Sequence, residues 1–245
     1  MDSDRVRLVA HRGWSARFPE NSLAAFAAAL GAGADEIEFD VRHSKDGAAL
    51  VSHDANVDRV SMLEGPCKAF TMAELKSADM VMADGARFDR MGFASLDEVL
   101  ELFGGKIVMN IHVKEVAAVE TTVRSIHDHG LSHEDCYIAG NIDVLERARA
   151  LAPQIPRCCL AGDNEPNTQI DHAVEYGCVR AQLRWDRYDR DVVTRCKSLG
   201  ILPNLYFADD PDGAERAIEA GIIALLTNDV GPIKKHLLGT GHLVG

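Results

Sequence analysis

Two acids on one face of a strand are the first sign of chemistry in this chain. In Asp35-Glu36-Ile37-Glu38-Phe39-Asp40-Val41-Arg42 the period of two gives Ile37, Phe39 and Val41 one face and Glu38 and Asp40 the other. Acids are disfavoured in strands, and two buried side by side are costly without a compensating cation. Their oxygens suit Mg2+ or Ca2+. The competing reading is a salt-bridged pair, with Arg42 as a partner. Met109-Asn110-Ile111-His112-Val113-Lys114 alternates in the same way, with Asn110, His112 and Lys114 on one face. Lys114 offers a point charge for a phosphate. His112 is either a third metal ligand or a hydrogen-bonded core histidine.

Two more histidines follow apolar runs, in Ala10-His11-Arg12-Gly13 and Val51-Ser52-His53-Asp54. Imidazole suits proton transfer near neutral pH. Arg12 can fork onto a phosphate. His53 directly follows a strand-like run and is therefore held, and Asp54 can orient a neighbour. Taken singly, His11-Arg12 reads better as a surface pair, and His53-Asp54 carries little weight.

The elements that must position these groups are eight apolar runs: Arg7–Ala10, Glu36–Val41, Lys106–Val113, Tyr137–Ala139, Arg157–Ala161, Val179–Leu183, Leu202–Phe207 and Ile222–Thr227. Helix-like stretches separate them: Asn21–Leu30, Leu96–Phe103, Val116–His127, Ile142–Leu151, Gln169–Tyr176, Asp191–Leu199 and Pro211–Ala220. Most stop at a glycine, with Gly31, Gly104-Gly105, Gly130, Gly177, Gly200 and Gly221 as the candidate caps. This alternation predicts α/β architecture, a single (β/α)8 TIM-type barrel over residues 1–245, with the histidine of the first strand at the C-terminal mouth. A doubly wound open sheet is the alternative, weakened by the lack of a Gly-x-Gly-x-x-Gly turn after the first strand. Residues 44–94 are too long for a plain connection. The run Ala48–Ser52 after the turn signal Lys45-Asp46-Gly47 predicts a hairpin-bearing insertion at the mouth.

The 245 residues are 47% hydrophobic and 26% charged, with a net charge of −12. That provides for a large core and argues against nucleic-acid or anionic-membrane partners, which require a basic face. No apolar stretch approaches a membrane span, and no signal peptide is evident. Six cysteines without a C-x-x-C pair read as reduced, buried thiols of a cytoplasmic protein.

Taken together and in order, His11-Arg12-Gly13, Pro19-Glu20-Asn21-Ser22, Glu36-Ile37-Glu38-Phe39-Asp40-Val41, Lys45-Asp46-Gly47 and His53-Asp54 resemble the glycerophosphodiester phosphodiesterase family of (β/α)8 barrels. The resemblance implies that His11 and His53 are the general acid/base pair. It implies that Glu38 and Asp40 bind a divalent metal, Arg12 a phosphate, and that Glu20 belongs with the phosphate-binding group. Asn21 is expected to cap the first helix. Where the family has Ile-Glu-Ile-Lys with its Glu as third ligand, this chain has Ile111-His112-Val113-Lys114, which opens the site to a transition metal. The family's Ser-Phe aligns with Gly140-Asn141, its Trp-Thr-x-Asn with Tyr206-Phe207-Ala208-Asp209, and its Thr-Asp with Thr227-Asn228. The implied partner is a small-molecule phosphodiester. Three alternatives remain open: an opine-type sugar phosphodiester contacting Asn141, Tyr206 and Asp209; a phospholipase D-like lyase with an apolar entrance made from Met62, Met80, Met82, Phe88, Met91 and Phe93; and a non-catalytic relative in which His112 marks a lost metal site.

Overall fold

A computed structural model describes residues 5–160, 162 and 165–243. The chain opens with β1 (Arg7–His11), α1 (Leu23–Gly31) and β2 (Glu36–His43). β3 (Ala49–Val51), α2 (Met72–Lys76), β4 (Met80–Val81) and β5 (Arg87–Phe88) form the insertion. The alternation resumes with α3 (Leu96–Phe103), β6 (Val108–Val113), α4 (Val119–Asp128), β7 (Cys136–Gly140), α5 (Ile142–Leu151) and β8 (Arg157–Cys159). It ends with α6 (Pro166–Glu175), β9 (Arg180–Arg184), α7 (Arg190–Ser198), β10 (Leu202–Tyr206), α8 (Pro211–Glu219), β11 (Ala224–Thr227) and α9 (Val230–Gly239).

Among the described residues, eight parallel strands pair in the order β1-β2-β6-β7-β8-β9-β10-β11, and β11 pairs back onto β1. The barrel is closed, so the open-sheet alternative falls. Each expected strand run overlaps one of these strands, several running one or two residues past its ends; Ala161, the last residue of the fifth run, lies outside the described residues. The outer faces carry Ile37, Phe39 and Val41, fully buried with Phe26, Leu96 and Val99 beneath the helices. Local sequence sets the helix starts. Ser95 and Glu98 form a reciprocal capping box that opens α3, and Thr71 and Glu74 do the same for α2.

The expected hairpin is present: β3 runs antiparallel to β2, with Val41 opposite Val51 and His43 opposite Ala49. The rest of the insertion folds over its own small core of Leu50, Val57, Val60, Leu75, Met80 and Phe93. Two local expectations change. The cap of α1 is Ser22, whose hydroxyl accepts from Ala25 N–H, not Asn21. The left-handed residue after α1 is Gly33 at φ +77°, because Gly31 is still helical. α9 had no counterpart among the expected helices; Val230, Ile233 and Leu237 bury its inner face.

Inside the barrel, below the level of Glu38, Glu36 receives both terminal nitrogens of Arg180 at 3.0 and 3.1 Å and the Tyr137 hydroxyl at 2.8 Å. The guanidinium also lies 4.2 Å above the Tyr137 ring. All three residues are almost fully buried, so each charge depends on the other for its solvation. Replacing Arg180 with Met leaves Glu36 buried and unpaired. A loss of about 3–5 kcal/mol in unfolding free energy is expected by urea titration; a loss near zero would contradict the pairing.

Candidate active site

The site grows out of strand register. Parallel pairing sets His11 opposite Glu38 and Asp40 opposite His112, so three adjacent strands present their inward polar residues at one level. Glu38 and Asp40 are buried, at 2% and 1% exposure. Glu38, Asp40 and His112 offer ligand atoms that all lie within 4.8 Å of one another, close enough for one metal ion to reach all three. Nδ1 of His112 is 3.2 Å from Asp40 and 3.7 Å from Glu38. The salt bridge with Arg42 that competed with this reading is not formed: Arg42 Nε donates to the His53 carbonyl at 2.8 Å and holds that loop.

The β1–α1 turn wraps this cluster. Arg12 sits at φ +56°, which turns its N–H onto Glu38 Oε2 at 3.0 Å, while its Nε lies 3.4 Å from Asp40. Gly13 follows at φ +77°, and a Cβ there would stand 2.7 Å from the Ala25 backbone. Only glycine allows the turn to press so closely on α1. Asn21, also left-handed at φ +57°, donates to Asp40 Oδ2 at 3.0 Å and accepts from the Asp40 N–H at 3.2 Å. Lys114 Nζ lies 3.5 Å from Asp40. Burial raises the pKa of Asp40, but His112, Lys114 and Arg12 outweigh it and hold that carboxyl well below its usual range.

Both remaining histidines are oriented through Nδ1. His53 Nδ1 meets Asp54 Oδ1 at 2.7 Å; a carboxylate only accepts, so Nδ1 carries the proton. His11 Nδ1 meets Asn228 Oδ1 at 2.7 Å, and the Phe207 ring packs 4.4 Å from the imidazole. Burial lowers the His53 pKa, and Arg12 and Lys114 add to this against the opposing pull of Asp40 and Asp54. Glu20 touches two guanidinium groups, accepting from Arg12 at 2.8 Å and from Arg59 at 2.7 and 2.8 Å. Arg59 also donates to Asp54 at 2.6 Å. One residue of the insertion thus ties the His53 loop to the β1–α1 turn.

His11, Arg12, Glu38, Asp40, His53 and His112 line one cavity of ≈ 220 Å³, whose other wall is Leu160, Gln182, Tyr206 and Phe207. Lys114 and Glu20 stand just behind it, on Asp40 and Arg12. Sequence reasoning did not find Asn21 as the holder of Asp40, Arg59 as the clamp, or Asn228 as the partner of His11. Asn tolerates the left-handed region, which is a faint signal for Asn21; nothing local distinguishes Arg59 from other loop charges. Of the residues given to the sugar-diester alternative, Tyr206 lines the cavity, whereas Asn141 and Asp209 do not; Asn141 is the N-cap of α5, accepting from Val144 N–H, and Asp209 accepts from Asn228. Of the residues given to an apolar entrance, Met80 and Phe93 are buried in the insertion core, whereas Met62 is exposed and Phe88 and Met91 are partly buried. No helix among the described residues is long and apolar enough to cross a membrane.

The sequence profile of the Glycerophosphoryl diester phosphodiesterase family matches residues 11–232. The chain belongs to this family. It is therefore a phosphoric diester hydrolase. A glycerophosphodiester phosphodiesterase of Caldanaerobacter subterraneus subsp. tengcongensis is 30% identical over 243 residues, spanning 92% of this chain and 95% of that protein. Among solved structures, a glycerophosphodiester phosphodiesterase from Agrobacterium tumefaciens superposes with a TM-score of 0.82 at 22% identity, covering 94% of this chain and 99% of its own. An Oleispira antarctica phosphodiesterase in complex with the product sn-glycerol-3-phosphate gives 0.82 at 22% identity, covering 94% and 96%. These two likenesses establish the fold.

The Arg59 clamp yields a kinetic prediction. Its side chain is 46% exposed, so Arg59→Ala should change stability by less than about 1 kcal/mol. Loosening both Asp54 and Glu20 should lower kcat/KM by about 10- to 100-fold. Steady-state kinetics beside a thermal melt separates the two, and an unchanged kcat/KM would contradict the clamp.

Proposed function

We propose that the chain hydrolyses a glycerophosphodiester to a phosphomonoester and an alcohol, with His11 and His53 as the acid–base pair and a divalent ion held by Glu38, Asp40 and His112. The observation that carries this reading is the convergence of both histidines, Arg12 and the three ligand groups on one cavity. The Caldanaerobacter relative is named for this activity, and the Oleispira enzyme's product is a phosphomonoester.

The donor set fits such an ion. Asp40 Oδ1 is buried and makes no hydrogen bond, and a second carboxylate and an imidazole stand beside it. Two carboxylates suit Mg2+ or Ca2+, and the imidazole extends the range to transition ions. When bound, the ion supplies Lewis-acid neutralisation of the non-bridging phosphate oxygens. Arg12 and Lys114 share the remaining phosphate charge. Glu20, held between two arginines, acts on the phosphate by aiming Arg12.

His53 and His11 both keep Nδ1 occupied and leave Nε2 for proton transfer. His53, whose pKa lies below its ordinary value, is neutral at neutral pH and takes the proton of the attacking hydroxyl, from water or from a neighbouring substrate hydroxyl. His11 protonates the leaving alkoxide. Residues 1–245 act as one catalytic domain, with 44–94 forming one side of its mouth. The six free, buried cysteines suit a reducing cytoplasmic setting.

In an assay of alcohol or phosphomonoester release from glycerophosphodiesters, His11→Ala and His53→Ala should each lose about 10²–10⁴-fold in kcat. Near-normal turnover in either variant removes that assignment. The acid limb of kcat/KM should lie below the ordinary imidazole value of 6.5, because burial disfavours protonated His53. A cation beside Asp40 cancels that carboxylate's opposing pull and moves the limb lower still. A limb above pH 7 would contradict the role given to His53.

A further inference from the structure

Asp209 lies in the loop between β10 and α8, and Asn228 directly follows β11. Asn228 Nδ2 donates to Asp209 Oδ2 at 2.6 Å, and its main-chain N–H donates to Oδ1 at 2.7 Å. The Thr227 hydroxyl adds a third donor to Oδ1 at 3.0 Å. Three donors from consecutive residues fix the carboxylate in place. A carboxylate only accepts, so the Asn228 amide has one orientation available, with its NH2 toward Asp209. Its carbonyl oxygen must then face the other way, where His11 Nδ1 lies at 2.7 Å and the Ser15 hydroxyl at 3.0 Å. That oxygen cannot donate. His11 Nδ1 therefore carries the hydrogen, and the atom left toward the cavity is Nε2, 3.9 Å from Glu38 Oε2.

We infer that Asp209 is a positioning residue that sets the tautomer and aim of His11 through Asn228. Asp209 is not part of the cavity wall; it acts two hydrogen bonds away. The same chain links the ends of β10, β11 and β1, so the imidazole is referenced to three strands at once. The inference rests on the reading that His11 transfers a proton. In either direction of that transfer Nε2 is the exchanging atom, and Nδ1 must stay protonated.

The test is Asp209→Asn, followed by the reciprocal exchange Asp209→Asn with Asn228→Asp. Two facing amides can trade donor and acceptor roles, so the single variant releases Asn228 to flip. The reciprocal pair returns a carboxylate to His11 and an amide behind it. Nitrogen-15 NMR of the His11 ring in Mg2+-saturated protein reads the tautomer directly, and kinetics on a glycerophosphodiester reads its use. At a pH where the His11 ring is neutral, wild-type protein should show a single Nδ1–H tautomer. Asp209→Asn should show a mixture and a kcat lower by about 10- to 100-fold with KM nearly constant. The reciprocal pair should restore both. An unchanged His11 tautomer in Asp209→Asn overturns the inference whatever the activity. So does a folded reciprocal pair that leaves the tautomer mixed. A changed tautomer with unchanged kcat keeps the inference and removes instead the acid–base role of His11.

Discussion

The burial of Glu38 and Asp40 on one barrel strand governs the rest of the site. Each carboxylate taken out of water costs several kcal/mol unless something replaces its solvation. The surroundings of the pair are that replacement. Arg12 adopts a left-handed backbone to aim its N–H at Glu38, and Asn21 does the same to grip both the side chain and the N–H of Asp40. Left-handed conformations cost non-glycine residues about 1–2 kcal/mol each; the acids hold the turn in place as much as the turn holds the acids. His112 and Lys114 bring partial or full positive charge from the next strand. These cations still leave Asp40 Oδ1 without a hydrogen bond, and the proposed divalent ion would complete the arrangement there.

A second layer of charge joins the insertion to the barrel. Arg12, Glu20, Arg59, Asp54 and His53 form one continuous chain of ion pairs and hydrogen bonds. Its members come from the β1–α1 turn and from residues 53–59, so the position of His53 depends on both segments. Exposed pairs add little stability, and their value here is geometric. The contrast with Glu36 and Arg180 is instructive. That pair is almost fully buried in the barrel and serves the integrity of the fold.

The fold was legible because barrel strands follow simple rules. Eight apolar runs at regular spacing, with glycines after most intervening helices, leave few other architectures. The facing of Glu38, Asp40, His112 and Lys114 followed from the period of two alone. Contacts between distant loops were not legible. Asn21 looked like a helix cap because Asn commonly is one, yet Ser22 was equally suited and Asn21 was drawn to Asp40. Arg59 has no pattern that marks it. Asp209 and Asn228 stood out only as two separate departures, at Trp-Thr-x-Asn and at Thr-Asp. Their 2.6 Å contact joins the two positions in one hydrogen-bonded pair, and only folding brings the two loops together.

The buried acid pair is proposed as a cation site, and the chemistry of the cavity depends on it. The most direct measurement is a titration of the metal-stripped protein with Mn2+ by electron paramagnetic resonance, with Mg2+ and Ca2+ followed by calorimetry. One ion per chain should bind to the wild type, and Asp40→Asn should weaken it by at least about 100-fold while the protein stays folded. Absence of binding in the wild type, or equal affinity in Asp40→Asn, would contradict it.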